Sequence, residues 1–240
     1  MLIESIELRE ARDDDERSWA DSLAMAKSLQ TQKLEFRSPI IVICGANGSG
    51  KSTLVEAIAD AAGMDVRGGH GNRTKGLARP QDVPLGPRMT IRGTLGLSLK
   101  RKGNDGFFLR AETAAGMLAF MTDHGVAGYG GSSKAISRGE GYLQAINGRL
   151  NNPGLYLLDE ADTPLSFEST LALMYKLQDL AKRPNTTIIC ATHSPVLAGI
   201  DGAQVFELSD DGITETSWED LKMVHLWRSF LENPKRFSQR

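Results

Sequence analysis

The sequence predicts an α/β domain built around a mainly parallel sheet, and three observations point there. Short runs rich in apolar and β-branched residues recur at residues 39–44, 155–158 and 186–191, the pattern of strands covered on both faces. Stretches with helical spacing follow the first two, so strand and helix alternate along the chain. With 240 residues, 40% of them hydrophobic and 24% charged, one sizeable core can form, which excludes wholesale disorder. Two cysteines are too few for a disulfide scaffold.

Taken in order, residues 1–10 place Leu2, Ile6 and Leu8 against polar neighbours and read as a half-exposed strand, and the acidic stretch 13–16 reads as a solvated loop. Residues 39–44 form a buried strand. A helix is expected over 52–62, with Leu54, Ile58 and Ala61 on one side. Residues 64–110 hold ten Lys or Arg against three Asp, a local balance of +7, with many glycines. No central parallel strand is expected there; the segment reads as surface loops with antiparallel strands in 89–99 and 106–112. A short helix over 114–121 precedes a second over 139–150, where Tyr142, Leu143, Ile146 and Leu150 share a face. Residues 155–158 are a central strand. A helix over 171–181 with Leu173, Leu177 and Leu180 in register leads to strands at 186–191 and 203–208 and a helix over 219–231. The whole, 1–240, reads as one domain, with 64–110 a basic variable region and 111–152 a helical region.

The formal charge is 28 − 30 = −2, so the protein is not basic overall; the arginines of 64–110 could touch nucleic acid, but scattered charge without interleaved aromatics reads more readily as a solvated surface. Cys44 and Cys190 close apolar runs and read as core thiols of a reducing compartment. No apolar run reaches the length of a membrane span, and the N-terminus is acidic where a signal peptide would be basic, so the cytoplasm is the expected location. His70, His124 and His225 have no spacing that suggests a zinc site.

Three segments carry chemistry. Gly45, Ala46, Asn47, Gly48, Ser49, Gly50, Lys51, Ser52 and Thr53 satisfy G-x-x-x-x-G-K-S between a strand and a helix. In such a loop backbone N–H groups and a helix N-terminus wrap a β-phosphate, Lys51 reaches β and γ oxygens, and Ser52 offers its hydroxyl to Mg2+. Asp159 and Glu160 end a buried strand, where Asp159 would hold Mg2+ through a water and Glu160 would polarise the attacking water. His193 follows the 186–191 strand and would touch the γ-phosphate and orient that water.

These segments resemble those of the ABC-type ATPases, the P-loop class that includes transporter nucleotide-binding subunits and the SMC and recombination-repair ATPases. The loop GANGSGKST is close to their G-x-N-G-x-G-K-S-T form. Ile136, Ser137, Arg138, Gly139 and Glu140 resemble the signature L-S-G-G-Q, with Arg138 in the second glycine's slot and Glu140 in the glutamine's, and Ser137 stands 22 residues before Asp159. Residues 163–166 look like the D-loop and His193 like the switch histidine. Within the class the chain is most similar to short stand-alone bacterial ATPases, through FFLRAE, the SRGE-type signature, IICATHSPVL and FLENPKRF. The resemblance implies ATP and Mg2+ as cofactors and Lys51, Glu160 and His193 as catalytic groups. It implies an ATP-dependent homodimer in which Ser137, Gly139 and Glu140 reach the facing subunit's nucleotide. No glutamine stands in the Q-loop place; Glu112 is its best substitute as a metal-side ligand, with Gln81, in a Gly/Pro-rich loop, as the alternative.

The expected function is therefore Mg-dependent ATP hydrolysis driving ATP-gated dimerisation as a soluble switch, with an unidentified protein partner or nucleic acid as its output. With 85 positions from Lys51 to Ile136 there is no room for a coiled-coil rod between loop and signature. The alternatives are the nucleotide-binding subunit of a membrane transporter and an ATP-binding dimerisation module with negligible turnover. A small-molecule kinase would leave the signature and histidine unexplained.

Overall fold

The computed structural model describes residues 1–12, 18–70, 83–94, 105–110 and 138–238. Its strands are β1 (Ser5–Leu8), β2 (Leu34–Glu35), β3 (Ile40–Gly45), β4 (Gly69–His70), β5 (Met89–Arg92), β6 (Asp105–Arg110), β7 (Gly154–Asp159), β8 (Thr187–Ala191), β9 (Gln204–Ser209) and β10 (Gly212–Thr216). The helices are α1 (Ala24–Thr31), α2 (Lys51–Ala61), α3 (Arg138–Arg149), α4 (Phe167–Ala181), α5 (Pro195–Ala198) and α6 (Lys222–Glu232), with single 3-10 turns at Trp19–Ser22, Gly86–Arg88 and Pro234–Phe237. Seven strands form one sheet in the order β10-β9-β3-β8-β7-β6-β4, and β2-β1-β5 form a small antiparallel sheet. From β9 to β6 every pairing is parallel, while β10 and β4 close the two edges antiparallel.

Alternation along the central strands divides the core in two. Ile41, Ile43, Leu155, Leu157, Ile189 and Phe206 point to one face, against α1, α2 and the small sheet. Ile40, Val42, Cys44, Tyr156, Leu158 and Cys190 point to the other, against α3, α4 and α5. A strand buried on both sides needs this unbroken apolar composition, which is why the three runs were legible in the sequence. Both cysteines are free and buried, and burial pushes the Cys44 thiol up to about 12 and the Cys190 thiol upward as well.

The structure corrects one expectation. β6 is not confined to an antiparallel pair: it runs parallel to β7 over six residues and joins the central sheet, while its antiparallel neighbour is the two-residue β4. Phe107, Phe108 and Leu109 are buried, so three consecutive apolar residues outweigh the charge of the segment around them. Arg110 at the strand's end pairs with Glu56 of α2 at 2.7 Å. The other described arginines of 64–110 also hold carboxylates: Arg67 pairs with Asp65, Arg88 with Asp21 and Arg92 with Glu7. The remaining basic residues of that segment lie outside the described residues, as do the acidic stretch at 13–16 and the expected helix over 114–121.

Several short elements have no counterpart in the sequence reading, α1 and β10 among them. α1 buries Met25, Ala26 and Leu29, a short stripe that one turn of polar residues obscures. β10 folds back on β9 through a turn containing Asp211 and Gly212, a hairpin signal lying between two apolar strands.

Candidate functional site

Parallel strands bring their C-terminal ends to one edge of a sheet, where loops can converge on a ligand. β3, β8 and β7 are consecutive neighbours, so the phosphate loop after β3, His193 after β8 and the acid pair ending β7 meet at that edge. Chain distance does not matter here: Lys51 and His193 are 142 positions apart, yet Lys51 Nζ lies 2.7 Å from His193 Nε2.

The loop leaves β3 at Gly45, whose φ is +149°. A Cβ there would sit 2.5 Å from the Leu208 carbonyl oxygen, so only glycine lets the loop pass β9. Gly45→Ala should therefore destabilise the fold by about 1–3 kcal/mol, read as a melting temperature lower by about 2–4 °C per kcal/mol for a domain of this size. Gly50, at φ +96°, turns the chain into α2 and leaves Lys51 as the first helical residue. The N–H groups of this first turn have no helical partners and face the loop.

Lys51 is 4% exposed, and its ammonium donates to the Gly45 and Ala46 carbonyls at 3.2 and 3.1 Å. Burial lowers its pKa, against the pull of Glu160 and Asp159. Ser52 Oγ donates to Asp159 Oδ1 at 3.1 Å, and burial raises the Asp159 carboxyl above the usual carboxylate range. Glu160 adopts a left-handed φ of +53°, which a non-glycine residue rarely takes. Its N–H still donates to Ala191 O at 2.9 Å, so the strand stops abruptly and the carboxylate turns back to within 3.2 Å of His193 Nε2. One imidazole nitrogen thus faces an ammonium and a carboxylate. Neutral there, it accepts from Lys51; protonated there, it donates to Glu160.

Three groups around this point were not picked out from the sequence. Thr192, fully buried, donates to Asp162 Oδ1 and accepts from the Ser194 N–H, both at 2.9 Å, and so fixes the loop that carries His193. Burial holds the Asp162 carboxyl above its ordinary range. Trp19 is the third: 67% exposed, it forms one wall of a pocket of about 340 Å³ whose other walls include Asn47, Gly48, Lys51, Thr53 and Glu160. Its 3-10 turn is held by a capping box between Ser18 and Asp21, and Asp21 pairs with the buried Arg88. Nothing in the local sequence announces this placement, because the contact is made by folding alone.

The donor set suits a hard divalent cation, since a hydroxyl and a carboxylate oxygen are already 3.1 Å apart at the loop. Ser49 Oγ is buried in the same loop without a hydrogen-bond partner among the described residues. Of the other expected ligands, Gly139 lies in the first turn of α3. Ser137 and Glu112 lie outside the described residues.

The AAA domain family matches residues 25–108, a span that includes the phosphate loop and ends before the acid pair. An sn-glycerol-3-phosphate import ATP-binding protein, UgpC 3 of Rhizobium johnstonii, is 27% identical over 174 residues, 66% of this chain and 48% of that protein. The Fe(3+) ions import ATP-binding protein FbpC of Streptomyces coelicolor is 28% identical over 71% of this chain and 49% of its own length. The bacitracin export ATP-binding protein BceA of Halalkalibacterium halodurans is 25% identical over 74% of each chain. The chain thus spans about half the length of the first two. Among solved structures, the SMC head domain from Thermotoga maritima aligns with a TM-score of 0.46 and 14% identity over 90% of this chain and 99% of that one. Its phosphate-loop motif, the parallel sheet that carries it and these sequence relatives make the chain similar to the P-loop ATPases of the ABC/AAA type.

Proposed function

We propose that this protein binds ATP with Mg2+, hydrolyses it, and uses the nucleotide to close two copies against each other as a conformational switch. The observation that carries the reading is the meeting of Lys51, Glu160 and His193 at the sheet edge, beside the Ser52–Asp159 contact. Mg2+, when bound, would offset charge on the β and γ oxygens. Ser52 and Asp159 would hold it. Lys51 would leave its carbonyl partners for phosphate oxygens, Glu160 would draw the proton from the attacking water, and His193 would keep that water and the γ-phosphate aligned. In the resemblance drawn from the sequence, Ser137, Gly139 and Glu140 would complete the facing copy's site, and Glu112 would stand beside the metal.

Phosphate release from ATP by the purified chain, abolished by EDTA, is the expected result. Tight ATP binding with no release under any partner or Mg2+ condition would make the protein a binding module instead. The import and export relatives favour a second reading, as the ATP-binding subunit of a transport system. Co-purification with an integral membrane protein from the native cell would decide for it. No helix among the described residues is long and apolar enough to cross a membrane.

Trp19 supplies the wall on which the nucleobase would stack. Base–aromatic stacking contributes about 1–3 kcal/mol, so Trp19→Ala should raise the ATP Kd about fivefold or more by calorimetry, while Trp19→Phe retains most of the affinity. Equal affinities in all three proteins would place the base elsewhere.

A further inference from the structure

Among the described residues, eight large apolar side chains are prominently exposed, and all but Trp19 lie on α4, α6 or the 3-10 turn after α6. They are Phe167 and Tyr175 on α4, Leu226, Trp227, Phe230 and Leu231 on α6, and Phe237 beyond it. Scattered exposed apolar residues are ordinary on a protein surface, whereas a concentrated patch marks an interaction site.

The shape of the patch says what fits it. Between α4 and α6 runs a groove of about 920 Å³, walled by residues that include Phe167, Leu171, Met174, Trp227 and Leu231. On the other flank of α6, Leu226, Trp227, Phe230 and Phe237 line a second hollow of about 390 Å³, in which the Phe230 and Phe237 rings meet edge to face with centroids 5.7 Å apart. Trp227 belongs to both and forms the ridge between them. One surface therefore presents a ridge and a groove side by side, the arrangement that a two-fold axis makes self-complementary, each copy's ridge entering the other's groove.

The area also matches. An aromatic side chain carries about 150–250 Å² in full. Six of the seven line these two hollows and are 42–69% exposed, so at about 100 Å² each they offer on the order of 600 Å² per copy before the rest of the groove is counted, against the roughly 800 Å² per partner of a stable interface. The groove continues to Asp162 and His193, which sets this face beside the catalytic edge.

We propose that the α4–α6 face is a nucleotide-independent homodimer interface, so that ATP closes the catalytic edges of copies already held together. Nothing in this proposal needs the phosphate loop to bind ATP, and the two readings fail separately.

The test is sedimentation velocity of the full chain without nucleotide, from about 1 to 100 μM, a range that brackets micromolar association. The wild type should move to twice the monomer mass within it, and Lys51→Ala should do the same. Leu226→Asp with Phe230→Asp should remain monomeric at concentrations at least tenfold higher, with an unchanged circular dichroism melt because both side chains are exposed. Phe237→Asp should weaken the dimer independently, which guards against a misfolded double variant. A wild type that stays monomeric throughout overturns the proposal, and so does a dimer that survives all three substitutions.

Discussion

Lys51→Ala should bind MgATP at least tenfold more weakly than the wild type, a loss of about 1.4 kcal/mol or more. The ammonium sits where the loop carbonyls of Gly45 and Ala46 converge and faces Glu160 and His193. Alanine removes an ammonium that this side of the pocket can offer to a γ-phosphate and leaves the two carbonyls turned toward an anion, so the loss should exceed that of a surface lysine. The free protein should suffer little. Burial already opposes the Lys51 charge, and replacing a partly desolvated ammonium by a methyl group relieves that cost while the glycine-dependent loop geometry stays in place. Calorimetry in Mg2+ with a melting curve of the free protein separates the two effects. Equal affinities would remove the assignment of this loop as the phosphate site.

Glu160→Gln should keep ATP affinity within a few fold yet lose about 10²-fold or more in turnover, the usual effect of deleting a general base. The amide matches the carboxylate in shape and can occupy the same left-handed turn, so the tether to Ala191 survives. What it cannot do is take a proton. Asp159→Asn should behave differently: its carboxylate meets Ser52 at 3.1 Å, so the variant should require more Mg2+ for the same rate. A Mg2+ titration of initial rates distinguishes the two. Unchanged turnover in Glu160→Gln would move the base to another group, and an unchanged Mg2+ requirement in Asp159→Asn would take the metal away from Asp159.

Much of this site was legible because its pieces are local. GANGSGKST combines the glycines, the lysine and the hydroxyl in nine consecutive residues, and the acid pair is announced by the apolar strand before it. His193 follows a strand whose composition shows that it is buried on both faces. The α/β class, the central strands β3, β7 and β8, and the helices α2, α3 and α4 were read from hydrophobic pattern alone, since burial on one or two faces leaves a period in the sequence.

The rest depends on neighbours far along the chain. Charge within 64–110 argued against a central strand, but the partner of β6 is β7, and the gain from burying Phe107, Phe108 and Leu109 between layers is invisible to local composition. Trp19 reaches the phosphate loop only because its turn is pinned by Asp21 and Arg88, residues 67 positions apart. Thr192 and Asp162 look like ordinary loop residues until β7 and β8 pair and set them 2.9 Å apart. Which residues are suited to phosphate chemistry can be read along the chain, because those requirements are written in short covalent stretches. Which of them meet, which wall the nucleobase would stack on and which apolar face among the described residues is left uncovered follow from folding, because strand order and long-range ion pairing are set by contacts that no window of the sequence contains.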